Sequence, residues 1–195
     1  MHRSLLSAIV LAAAVFFSFS APAYARDAEV SLSLGGSQIF LDDADDEDPF
    51  DEEWGIRLEP SFTLAPFESV PELRLGGGIA FNFYFDEVDT GFAEIDANLY
   101  LYTPEFLVSW RQRLGEQFYI EPGVGLGWAI GQLDTDFDNE TGNGYSIRPF
   151  VRLGYQMERW SIGAEAGYRF GELEFDDAEG DYEELNVGVF LSARL

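Results

Sequence analysis

Few of the side chains that act as bases, nucleophiles or soft metal ligands are present in this sequence: there is no Cys and no Lys, and the single His is His2. What remains for polar chemistry is 36 carboxylates and 11 arginines, at a formal net charge of -25. A Ser nucleophile such as Ser146 or Ser192 would have to be activated by Lys or by an unusual carboxylate, and Lys is absent. Glycosidase-type carboxylate pairs are formally available, but with 36 acids some pair always falls at a suitable separation. Asp134-x-Asp136-x-Asp138-Asn139 has the opening rhythm of a calcium loop, yet Asn139 stands where that loop needs Gly and Tyr145 where it needs Glu. Asn139-Glu140-Thr141 matches a glycosylation sequon. No cofactor is expected, and a chain this acidic is not a nucleic-acid binder.

Residues 1–25 read as a secretory signal. His2 and Arg3 make a short charged start, Leu5 to Phe19 an apolar stretch, and Ala23-Tyr24-Ala25 a small-x-small cleavage site. Residues 26–195 then form one domain. No later stretch offers some twenty uninterrupted apolar residues, so any membrane passage must be made by strands.

From Val30 onward the period is two, and eight strand-length segments stand out, at about 28–41, 52–64, 72–85, 98–114, 117–133, 145–157, 160–173 and 185–195. The sixth places Ile147, Val151 and Leu153 on one face and Arg148, Arg152 and Gly154 on the other. The eighth sets Val187, Val189 and Leu191 against Asn186, Gly188 and Arg194. Across the segments the second face is largely Gly and Arg. Glycine on a watered face weakens a strand for no gain, whereas inside a narrow barrel it makes room for long side chains of neighbouring strands. The expected fold is therefore all-β, an eight-stranded antiparallel up-and-down transmembrane β-barrel with its oily face outward.

On that reading an interior charge network forms from Arg57, Glu59, Arg74, Glu121, Arg148, Arg152, Glu165, Arg169 and Arg194, joined by Glu105 and Arg111. A guanidinium survives in such a lumen only when paired, and these carboxylates are the available partners. Aromatics such as Trp54, Trp128 and Phe170 at the loop ends, and Phe106, Trp110 and Tyr155 at the turn ends, suit the two interfaces of a bilayer. Pro60, Pro104, Pro122 and Pro149 fall inside strands and predict bulges or local breaks. Changes of phase are expected near Gly35-Gly36 and around Thr103-Pro104-Glu105.

The connections alternate in kind. Those near 65–71, 115–116 and 158–159 are short, whereas Asp42–Glu53, Asp86–Asn98, Asp134–Gly144 and Glu174–Glu184 are long and hold 25 of the 36 acids with no Arg. Short periplasmic turns and long external loops are what an outer-membrane barrel requires, with both termini in the periplasm.

Ile120-Glu121-Pro122-Gly123-Val124-Gly125-Leu126-Gly127-Trp128 and Ile147-Arg148-Pro149-Phe150-Val151-Arg152-Leu153-Gly154-Tyr155 resemble strands of the small OmpA/OmpX-like outer-membrane barrels. Gly163-Ala164-Glu165-Ala166-Gly167-Tyr168-Arg169-Phe170 resembles the penultimate strand that follows them. The resemblance implies a bacterial outer-membrane location, with outer-membrane lipid and lipopolysaccharide around the barrel and insertion by the barrel-assembly machinery. Family members usually end on an aromatic residue read by that machinery; this chain ends on Leu195. Enzymes among similar barrels depend on a His base, which residues 26–195 lack.

The expected function is thus that of a monomeric, non-enzymatic outer-membrane barrel with acidic external loops, acting in envelope integrity or surface interaction. Those loops could at most gather divalent cations weakly, in competition with simple solvation. The alternative reading is a narrow channel or small-ligand transporter. A third is a soluble periplasmic barrel with a greasy interior, which would bury Ile147, Val151 and Leu153 and splay Arg148 and Arg152 into water.

Overall fold

The computed structural model describes residues 27–42, 53–89, 94–135, 139–174 and 179–195. The proposed signal segment 1–25 and much of the four acidic loops, including Asp136 and Asp138, lie outside the described residues.

The strands are β1 (Glu29–Asp42), β2 (Trp54–Leu64), β3 (Leu73–Asp89), β4 (Glu94–Trp110), β5 (Gln112–Leu114), β6 (Phe118–Thr135), β7 (Asn139–Gln156), β8 (Trp160–Glu174) and β9 (Glu179–Arg194). The sheet is antiparallel throughout, and β1 pairs both β2 and β9, so it closes on itself. β4 and β5 both pair β6 in one unbroken register, from Ser109↔Gly123 to Gln112↔Ile120, and count as a single stave. The wall is an eight-stranded antiparallel barrel without an edge, as the period-two pattern predicts.

The alternation runs in the expected sense. Leu153, Val189 and Leu191 are about half exposed, Ile147 and Val151 partly so, whereas Arg148 and Arg152 are enclosed. Trp54, Phe106, Trp110, Phe118, Trp128 and Phe170 all lie on the outer surface. Inward glycines sit where rings need room. A Cβ on Gly154 would lie 2.2 Å from the Tyr119 ring, and one on Gly163 would lie 2.7 Å from that of Phe190. At the short connections, Gly115 adopts φ 91° between β5 and β6, and Met157 N donates to Trp160 O at 2.8 Å between β7 and β8. The chain ends meet at this turn end, where Leu195 N donates to Ala28 O at 2.9 Å.

Two expectations need correction, and a third is met in one of its two forms. No phase change occurs at Gly35-Gly36 or Thr103-Pro104: odd-numbered residues stay inward from Glu29 to Ile39 in β1 and from Leu99 to Ser109 in β4, because closure leaves no register free to slip. The prolines take the second of the two forms expected of them, local breaks without bulges. Pro60, Pro104 and Pro149 each open a short gap in one ladder, toward β3, β6 and β8 respectively, and Pro122 faces the break between β4 and β5; register is the same on both sides of every gap. A missing N–H removes a rung without adding a residue. Finally, the hairpins reach further than hydrophobicity marks. β3, β4, β6 and β7 run to 17 or 18 residues, whereas about 9–11 tilted residues cross a bilayer. Their loop-side ends are acidic and read as loop in sequence, but paired backbone carries them on.

Candidate functional site

Among the described residues the lumen holds six Arg and six Glu, all buried. They fall into two sets, each with equal numbers of either sign.

The central set draws Arg57 and Glu59 from β2, Glu105 from β4, Arg148 and Arg152 from β7, Glu165 and Arg169 from β8 and Glu184 from β9. Alternation on strands of one wall turns these residues to a common interior, and enclosure away from bulk solvent makes each the other's partner. Arg148 reaches Glu59 at 2.9 Å, Glu105 at 2.7 Å and Glu165 at 3.1 Å. Arg169 bridges Glu105 and Glu184, and Arg57 bridges Glu184 and Glu59. Arg57, Glu59, Arg148, Glu105, Arg169 and Glu184 thereby close a ring of six alternating charges. Arg152 fuses a second ring to it through Glu165 and, at 3.6 Å, Glu59. Asn82 Nδ2 donates to Glu184 at 3.1 Å, and Phe150 lies under both Arg148 and Arg152.

The second set lies nearer the turn end. Arg111, between β4 and β5, grips Glu29 with both Nη atoms, at 2.7 and 2.9 Å, and donates Nε to Glu121. Ser109 Oγ donates to Glu121 at 2.7 Å, and the Arg111 head sits 4.2 Å from the centre of the Tyr119 ring. Arg74 lies 3.7 Å from Glu29 and donates to the Asp27 carbonyl at 2.8 Å.

Toward the loop end the lumen turns apolar. Ile39, Tyr84, Leu99, Leu101, Ala129, Leu173 and Tyr182 pack together as an inner plug. From turns to loops the barrel is thus filled by four interacting charges, then eight, then hydrocarbon and rings.

Of the residues singled out in the sequence, Arg57, Glu59, Arg148, Arg152, Glu165 and Arg169 meet in the central set, and Arg74 and Glu121 in the lower one. Arg194 joins neither: half-buried at the turn-end mouth, it donates to Gln156 Oε1 at 3.0 Å and forms no ion pair among the described residues. It is the last residue of β9, where an Arg head can reach water along its own stem. Glu29 and Glu184 escape sequence reasoning. Glu184 reads as the end of an acidic loop, but counting back by twos from Arg194 through Asn186 reaches it. The apolar plug carries no separate signal, because Leu99, Leu101 and Leu173 look like any other half of an alternating strand. Among the described residues no three His, Asp or Glu side chains come together as a metal ligand set.

An arrangement with every carboxylate held by guanidinium offers no free base and no open ligand position. What it does is join strands that are not neighbours.

No protein-family model matches the chain, and no curated protein matches it. Solved structures do. Neisserial surface protein A matches with a TM-score of 0.61 at 10% identity, covering 86% of this chain and 97% of that one. A major outer membrane protein from Thermus thermophilus matches with a TM-score of 0.52 at 12% identity, covering 86% of this chain and 99% of that one. Identities this low speak to fold, and the fold of this chain is that of the small eight-stranded outer-membrane β-barrels.

Proposed function

We propose that this chain is an integral barrel of the bacterial outer membrane, without an open pore or a catalytic centre, that carries acidic loops on the cell surface and acts there in envelope integrity or surface interaction. The observation that carries the reading is the Arg148–Glu59 contact and the double ring around it. A water-filled conduit needs space along the axis, and here eight charged side chains cross it beneath an apolar plug. The oily outer wall supports the membrane location, as does the likeness to a surface protein and an outer membrane protein. Outer-membrane lipid and lipopolysaccharide are the partners proposed for that wall, with the barrel-assembly machinery as the agent of insertion. The short turns then face the periplasm.

Single-channel recording of the purified protein in planar bilayers tests the reading. Silence is expected. Steady conductance, lost on replacing Arg148 or Arg152, would transfer the assignment to the narrow-channel class.

A further inference from the structure

A cavity of about 330 Å³ opens at the turn end of the barrel, on the outer side of the lower charge set. Its floor is Arg74 and Arg111, whose heads are already engaged by Glu29 and Glu121. Its rim is different. Arg113 and Arg194 line it with Asp27 and Glu72; these four make no contact ion pair with one another, and of them Asp27 interacts electrostatically with Arg74 on the floor. Two cations and two anions are thus held around one hollow by separate pieces of backbone. Asp27 precedes β1, Glu72 lies in the turn before β3, Arg113 is in β5 and Arg194 ends β9. Glu72 and Arg111 are tied through the backbone, Arg111 N to Glu72 O at 2.7 Å, which fixes the position of that carboxylate residue beside the stave bearing Arg113.

Opposed charges that line a cavity without neutralising each other fit a ligand carrying both signs. From this geometry we infer that the turn-end cavity binds a zwitterion with an oxyanion and an ammonium a few atoms apart, of the phosphoethanolamine class. The oxyanion takes Arg113 and Arg194, whose planar donor sets suit phosphate oxygens. The ammonium takes Asp27 and Glu72. Such a group belongs to a phospholipid headgroup or to a free phosphoethanolamine, and the volume admits either.

The full barrel domain in an uncharged sugar detergent is titrated with O-phosphoethanolamine, and separately with inorganic phosphate and with ethanolamine, at constant ionic strength. Phosphorus resonance broadening is followed for the two phosphorus compounds, and the midpoint of heat-dependent gel mobility for all three. Phosphoethanolamine should bind saturably and at least about tenfold more tightly than either half, since both charge pairs contribute. Arg194→Gln and Glu72→Gln should each weaken it about tenfold, and both variants should keep the heat-dependent mobility that reports a closed barrel. Equal response to the halves, no saturable response, or full binding by both variants would overturn the assignment. In nanodiscs of mixed phosphatidylethanolamine and phosphatidylglycerol, one retained phosphatidylethanolamine, lost in Arg194→Gln, identifies the source as lipid. Binding of the soluble compound with no retained lipid identifies it as the free molecule. The detergent titration needs no membrane, so it stands or falls separately from the location proposed above.

Discussion

Arg148 Nη2 lies 2.9 Å from Glu59 Oε1, although three strands separate β7 from β2 whichever way one goes around the barrel. Every ladder joins neighbours; this contact joins opposite walls. With Glu105 and Glu165 on the same guanidinium, it makes Arg148 the partner of three of the four central carboxylates.

Replacing Arg148 with Met should therefore cost about 3–5 kcal/mol, because it strands buried carboxylates rather than merely deleting a contact. Glu59→Gln alone should cost less, since it removes one charge and keeps hydrogen-bonding atoms. The double variant should fall short of the sum by more than about 1 kcal/mol, the signature of residues in one network. Urea unfolding in lipid vesicles, followed by gel mobility, measures all three; additivity would mean that the two side chains act independently.

Glycine inside the wall is a packing requirement at Gly154, where an added Cβ would strike the Tyr119 ring. Gly154→Leu should destabilise the barrel by about 1–3 kcal/mol as an overpacked interior does. Combining it with Tyr119→Ala should recover part of that loss. Failure of the second change to help would place the cost elsewhere than in the ring.

Pro60 leaves a gap toward β3 while the pairs on either side keep register, Leu58↔Phe81 and Ser61↔Gly78. Pro60→Val should restore a rung and raise stability by about 1 kcal/mol, with the same inward and outward faces. A shift in labelling pattern along β2 would show instead that the proline sets the register.

Much of this was legible in the residues because a barrel wall is a long repetition of one rule. Arg148 and Arg152 against Val151 and Leu153 reveal two faces, and Gly with Arg on the same face reveals which one is inside. The parts that were not legible share a cause. Phase breaks at Gly35 and Thr103 fit each strand taken alone, but closure ties each strand to two neighbours and forbids them. Glu29 opens β1 and Glu184 stands just ahead of the apolar alternation of β9, where acidity reads as loop until the partner Arg is in place. Arg194 has the parity of an inward residue and the position of a mouth residue, and position wins. The inner plug of Ile39, Leu101 and Tyr182 has the same composition as a lipid-facing patch, so only three-dimensional placement separates them.

Val189 is 60% exposed, which in water would make substitution nearly free, within about 0.5 kcal/mol. In a bilayer the same position faces hydrocarbon. Val189→Arg should cost about 2–4 kcal/mol in lipid vesicles if it lies near the midplane. A neutral outcome would mean that this face meets water.

Which face of each strand meets lipid decides everything else about this barrel, and the absence of Cys allows it to be read one residue at a time. Single Cys substitutions from Asn186 to Ser192 along β9, spin-labelled in vesicles, should alternate strictly. Labels at 187, 189 and 191 should collide with dissolved oxygen and be shielded from a polar nickel complex, and those at 186, 188 and 192 should be screened from oxygen. The opposite alternation, with 187, 189 and 191 shielded from oxygen, would contradict the inside-out wall and every assignment built on it.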